Sequence, residues 1–228
     1  MADDLATTAG ELLPLFPLEA VLFPDMFMPL HIFEPRYQLL IQRSLERAEP
    51  FGVVLIREGQ EVGETAVPHR VGTQAEIVAH AALPDGRSLI TVRGGRRFEI
   101  ASVLSDAEPY PVGRVRYLDD AAEEDERPLA NSVAEAYADY VVGVVAATGG
   151  VRQELPVVDE IRGGTPSDVS FRVAAGLAVE DDEQQTLLEA TSARDRLARE
   201  REILARECSL LTEMLVRMRV RGEGPTLH

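Results

Sequence analysis

Lysine is absent from this chain of 228 residues, and all 23 basic residues are arginine. That absence excludes a phosphate loop of the GxxxxGK[ST] kind and any serine nucleophile activated by a lysine amine. Tryptophan is absent too, and aromatic residues make up only 5%, which leaves little material for an aromatic cage around a cationic ligand. Cysteine occurs once, at Cys208, so no intramolecular disulfide can form and the composition agrees with a reducing compartment. No apolar run approaches about eighteen residues, and the opening MADDLATTAGE is acidic where a secretory signal is basic and then apolar. The expectation is a cytoplasmic chain with no membrane segment. Basic charge is the minority, with a formal net charge of −16, which argues against sequence-independent nucleic-acid binding.

What the chain has in quantity is proline set among apolar residues. From Leu13 to Tyr37, LPLFPLEAVLFPDMFMPLHIFEPRY, five prolines at 14, 17, 24, 29 and 35 interrupt an otherwise apolar stretch. Each proline lacks an N–H and pushes the preceding residue out of the helical region, so no continuous helix can form. The stretch is too apolar for a solvated linker. It is expected to run as short buried or edge strands that supply much of one core. Helical spacing begins only at Pro35, where Tyr37, Leu40, Ile41, Ser44, Leu45 and Ala48 share one face and proline takes a favourable first position.

Strand patterns follow. Phe51 to Ile56 reads as a short buried strand, GQEVGE as a surface loop, and Gly72–Leu83 and Ser88–Arg93 as a hairpin about Pro84-Asp85-Gly86. After the pair Gly94-Gly95, separate strands are expected at Arg96–Leu104 and Val112–Leu118. Together these describe a small β-barrel with one inserted helix. The run Asp119–Arg127, DDAAEEDER, separates two halves of unequal charge: residues 1–118 hold 16 acids against 11 arginines, and residues 119–228 hold 23 against 12. It reads as an acidic linker over 119–127.

Beyond the linker the pattern is helical. Pro128–Ala147 is rich in alanine and valine and ends before Gly149-Gly150. Thr165-Pro166-Ser167-Asp168 reads as a capped start for a helix over 169–178, and a short helix is expected from Asp181 to about Ala190. Thr191 is taken as the cap of the last helix, which runs to about Val220. In it Leu197, Leu204, Cys208, Leu211, Leu215 and Met218 form a packed seam that Ile203, Leu210 and Met214 widen. So wide a face predicts burial within an intramolecular bundle. The expected domains are 1–118, a β domain; 119–127, the linker; 128–221, a helical bundle; and 222–228, a tail.

These motifs resemble the Lon N-terminal, substrate-binding domain family. LPLFPL at 13–18, VLFPD at 21–25, PLHIFEPRY at 29–37, VGTQAEI at 71–77, GRRFEI at 95–100 and YPVGRVRYL at 110–118 occur in the family's order, and DVSFRVA and QTLLEATSARDRL extend the similarity to nearly the whole chain. Asp25 stands where the family has glycine, a residue that accepts positive φ more readily. The resemblance implies an α+β fold, with a PUA-like, mostly antiparallel β-barrel carrying one inserted helix and followed by a C-terminal helical bundle. With no lysine, the chain resembles a stand-alone recognition domain without the ATPase and protease modules.

No motif announces catalysis. The histidines, His31, His69, His80 and His228, have neither HExxH nor Cys/His ligand spacing, and there is no GxSxG elbow or dinucleotide loop, so no catalytic, metal or cofactor residue is assigned. Cys208 lies on a helix seam and reads as a core thiol. The acidic runs Glu123–Glu126 and Glu180–Glu183 lack calcium-loop spacing and suit helix starts. Two candidate sites remain. Met26, Phe27, Met28 and His31, beside a turn, are candidates for holding a peptide, or else plain core. Arg93, Arg96 and Arg97 form the one compact basic cluster, read as a solvated hairpin edge with RNA binding as the alternative.

The resemblance implies a non-catalytic module that binds exposed or unfolded polypeptide and works with a separate protease or chaperone. A PUA-like module that senses a small ligand or binds RNA is the alternative.

Overall fold

A computed structural model of the chain describes residues 10–59, 66–84, 86–104, 108–120, 126–148 and 161–221. The expected loop over 60–64, Asp85 of the hairpin turn, most of the acidic linker, the Gly149-Gly150 stop and the tail 222–228 lie outside those residues. The strands are β1 (Glu11–Leu18), β2 (Phe27–Ile32), β3 (Phe51–Glu58), β4 (Val67–Pro68), β5 (Val71–Ala82), β6 (Ser88–Leu104) and β7 (Val112–Leu118). The helices are α1 (Pro35–Arg47), α2 (Arg127–Thr148), α3 (Pro166–Gly176), α4 (Asp181–Glu189) and α5 (Ala193–Arg221). They fall into two compact units. One holds the chain up to Asp119 together with Val179–Glu189, and the other holds Asp120–Ala178 and everything from Ala190.

In the first unit the strands pair in the order β1-β7-β6-β5-β3, and β3 pairs with β1 again, so the path closes into a barrel. Closure is by the one parallel pair, with Leu15 opposite Gly52 and Leu18 opposite Leu55; the other ladders are antiparallel. Alternation along β1 splits its side chains between two cores. Leu13 and Leu15 join Val54, Phe98, Ile100 and Val115, while Phe16 and Leu18 join Tyr37, Leu40 and Ile41 of α1 with Phe51, Met28 and Val92. Burying each such side chain contributes about 1.5–3 kcal/mol, which is why the proline-punctuated stretch folds as strands despite its missing donors.

Three local features differ from the sequence reading. The glycine pair does not divide two strands: β6 runs unbroken through it for 17 residues. Gly94 is required there because a Cβ would lie 2.0 Å from the carbonyl oxygen of Phe23, where the chain between β1 and β2 crosses over β6. The cap of α5 is Ser192, whose Oγ accepts from the Asp195 N–H at 3.1 Å, and not Thr191. Helix α4 groups with the barrel instead of with the other helices. It buries Leu187 and Leu188, the Gln185 side-chain amide donates to the Val71 carbonyl at 3.0 Å, and Arg97 donates to the Leu188 carbonyl at 2.6 Å.

Asp25 takes the left-handed conformation, φ 59°, that glycine adopts without strain. Its carboxylate holds Arg93, which donates from Nε at 3.1 Å.

In the second unit α2, α3 and α5 pack against one another. Thr165 and Asp168 form a reciprocal capping box at the start of α3, with Pro166 inside the first turn, in agreement with the sequence. The seam of α5 is narrower than expected. Leu197 and Leu204 are fully buried, but Leu210 and Met214 are 53% and 42% exposed. Toward its end α5 meets α2 at Gly143, whose missing side chain admits Leu211, and no described helix covers the opposite side.

Candidate functional site

Strand β2 carries the candidate site, and the placement of its side chains follows from period two. Met28 and Ile32 point into the core, whereas Phe27, Pro29 and His31 are exposed. Phe33, just past the strand, continues the exposed series, and its ring lies 5.7 Å from that of His31. Phe27 is 61% exposed and Phe33 43%, an unusual cost for two of the seven phenylalanines of the chain.

The pairing partners set what lies beside this row. Phe27 faces Arg93 and then Glu76 across β6 and β5; Pro29 faces Thr91 and Ala79; His31 faces Leu89 and Ala81. Small side chains in the middle and larger ones at the rim leave an open depression of about 470 Å³ lined by Pro29, His31, Ala79, Ala81, Leu89 and Thr91 among others. Leu89 adds apolar surface, at 48% exposed.

The backbone of β2 matters as much as its side chains. Among the described strands β2 pairs with β6 alone. The Gly94 N–H donates to the Met26 carbonyl and the Asp25 N–H to the Gly94 carbonyl, both at 2.8 Å. Counting from that bonded position, Met28, Leu30 and Ile32 fall at hydrogen-bonded pairs with β6, and Phe27, Pro29 and His31 at the alternate ones. Pro29 therefore sits where its ladder needs no N–H. The same count turns the backbone groups of Phe27 and His31 toward the unpaired edge, where an added strand can bond to them, while proline removes the central donor and discourages indiscriminate pairing.

Of the four residues suggested as a peptide site, then, Phe27 and His31 lie on the exposed row. Met28 is core at 7% exposed, and Met26 is partly buried against the same core. Phe33 was missed. Strict alternation through FMPLHIF would have found it.

The arginine cluster does not form one patch. Arg93 is held by Asp25, Arg96 lies over the Tyr117 ring at 4.5 Å and reaches Asp119, and Arg97 is 3% exposed. Arg97 donates to the Leu188 carbonyl at the C-terminal end of α4, where a helix dipole is negative.

Nothing at these places is arranged as a nucleophile. Cys208 is free, and burial, followed by the charges of Asp139 and Glu207, pushes its thiol up from its ordinary value, which lowers the thiolate fraction. Among the described residues no group of three or more His, Cys, Asp or Glu side chains is placed to hold a metal ion, and no helix is long and apolar enough to cross a membrane.

Comparison with known proteins decides the family. The sequence profile of the ATP-dependent protease La (LON) substrate-binding domain matches residues 12–206, through the barrel and most of the helices. The chain belongs to the Lon substrate-binding domain family. A Lon N-terminal domain protein from Xanthomonas campestris superposes with a TM-score of 0.61 at 27% identity, over 83% of this chain and 96% of that one. The N-terminal domain of the Mycobacterium avium complex Lon protease gives a TM-score of 0.65 at 15% identity, over 86% and 98%, and so supports the fold. The Lon protease of Roseiflexus castenholzii is 28% identical over 205 residues, covering 89% of this chain but 25% of the relative. The chain thus spans about a quarter of such curated Lon proteases, and the matched part is their substrate-binding region, separate from the protease module.

Proposed function

We propose that this Lon-family chain binds exposed or unfolded polypeptide without cleaving it, and that it delivers that polypeptide to a separate protease or chaperone. The observation that carries the reading is the exposed row Phe27, Pro29, His31 and Phe33 on a strand with one unpaired edge, beside a shallow apolar depression and on a closed barrel. An extended segment laid along that edge finds backbone partners at Phe27 and His31, and its apolar side chains find the depression. Aromatic anchors of this kind carry a large share of binding energy at protein interfaces. A rigid barrel holds them with little ordering cost. The absence of lysine and the raised Cys208 thiol favour recognition without covalent catalysis.

A photo-reactive amino acid placed at Phe33 tests the site. With a permanently unfolded client, crosslinks are expected at position 33 and not at Val142, an exposed residue of α2. Equal crosslinking at both positions, or none at 33, contradicts the assignment.

A further inference from the structure

The helical unit contains a carboxylic acid that its fold leaves without a partner. Glu200 of α5 is 0% exposed, and neither carboxylate oxygen has a hydrogen-bond partner among the described residues. One turn earlier Arg196 is also fully buried, but its donors are committed. Nε bonds Ser170 Oγ at 2.7 Å, Nη1 and Nη2 reach the two oxygens of Asp120 at 3.4 and 2.5 Å, and the guanidinium lies 3.6 Å above the Phe171 ring. Ser167 also donates to Asp120. The site therefore sets two carboxyl groups, the fully buried Glu200 and the largely buried Asp120, against one guanidinium.

The other charged groups on the packed helices are engaged elsewhere. On α2, Arg127 donates to the Gly164 carbonyl, Glu135 pairs with Arg162, and Asp139 acts on Cys208. On α3, Asp168 closes the capping box and Arg172 donates to the Ile161 and Gly163 carbonyls. Among the described residues Arg196 is the charge that acts on Glu200, and it does so from the grasp of Asp120.

An unpaired buried carboxylate is among the costliest groups in a protein interior, and the usual escape is to keep the proton. We propose that Glu200 is a proton-operated switch in the helical unit: protonated, it leaves Arg196 to Asp120, and on ionising it draws the guanidinium away and loosens the packing of α2, α3 and α5. Asp120 is the first residue of this unit, so the switch acts where the chain enters it. Burial holds the Glu200 carboxyl well above the ordinary carboxylate range, with the pull of Arg196 in the opposite direction. The sign follows. A raised native value means that the folded unit keeps a proton the unfolded chain gives up, so this stabilisation is complete at acid pH and is lost as pH rises through the native value.

Glu200→Gln keeps the shape of the protonated acid and cannot ionise. Its melting temperature is expected to exceed that of the wild type by a margin that widens from pH 5 to pH 8, reaching about 5 °C or more. A margin independent of pH overturns the proposal. If the variant does not fold, the infrared carbonyl band of a protonated carboxyl in the wild-type chain decides. It is expected at pH 6, where ordinary carboxylates are ionised, to fade as pH rises, and to be lost at pH 6 in Asp120→Asn, which frees Arg196 for Glu200. A wild-type chain without that band at pH 6, or an Asp120→Asn chain that keeps it, overturns the switch.

Discussion

Among the described residues each of the two units buries one arginine, and they hold it in different ways. In the barrel unit Arg97 donates to the neutral Leu188 carbonyl at the end of α4. In the helical unit Arg196 is locked to Asp120, and Glu200 adds a second acid that is fully buried. The first arrangement fastens a helix to a sheet. The second ties the packing of three helices to a charge balance. The difference teaches that the barrel is built as a fixed platform, consistent with its closed ladder, while the helical unit is built to respond.

The comparison breaks most sharply at Arg196. Arg196→Met leaves Asp120 without its counter-ion in a site from which water is largely excluded, and the helical unit should lose about 3–5 kcal/mol. Hydrogen exchange will show the loss across α3 and the first half of α5, with β5 and β6 unchanged. Arg97→Met is expected to cost less, about 1.5–3 kcal/mol, the scale of a hydrogen bond from a charged donor such as the one Arg97 gives the Leu188 carbonyl. There the faster exchange will fall in α4 and the start of β5. Thr165→Ala, which opens the capping box of α3, should cost about 1 kcal/mol and register in the helical unit alone. Asp25→Gly sits at the bottom of the scale. The left-handed backbone at φ 59° suits glycine, and the lost pair with Arg93 is exposed, so calorimetry should return the wild-type melting temperature.

How much of this was legible beforehand depended on whether the signal was local. The strands of the proline-punctuated segment, the start of α1 at Pro35 and the capping box at Thr165 are local, and the sequence expresses them directly through proline, spacing and cap residues. Gly94 was read as a break because its purpose is a crossing by Phe23, remote in sequence, and no periodicity reports that. The allegiance of α4 to the barrel was hidden for the same reason, since it is written in Arg97 and Val71, about a hundred residues earlier. The candidate site was half legible. Its location beside the turn came from surplus apolar residues, but the division of Met28 from Phe27 and His31 required the strand register, and Phe33 and the depression appear only when β2, β6 and β5 lie side by side.

Affinity for an unfolded client tests whether the exposed row on β2 holds polypeptide. Fluorescence anisotropy with a reduced, alkylated client should show saturable binding by the wild-type chain. Replacing both Phe27 and Phe33 by serine should weaken that binding tenfold or more, with the melting temperature lowered by no more than a few degrees because both rings are already exposed, at 61% and 43%. A double variant that binds the client as tightly as the wild type contradicts the account.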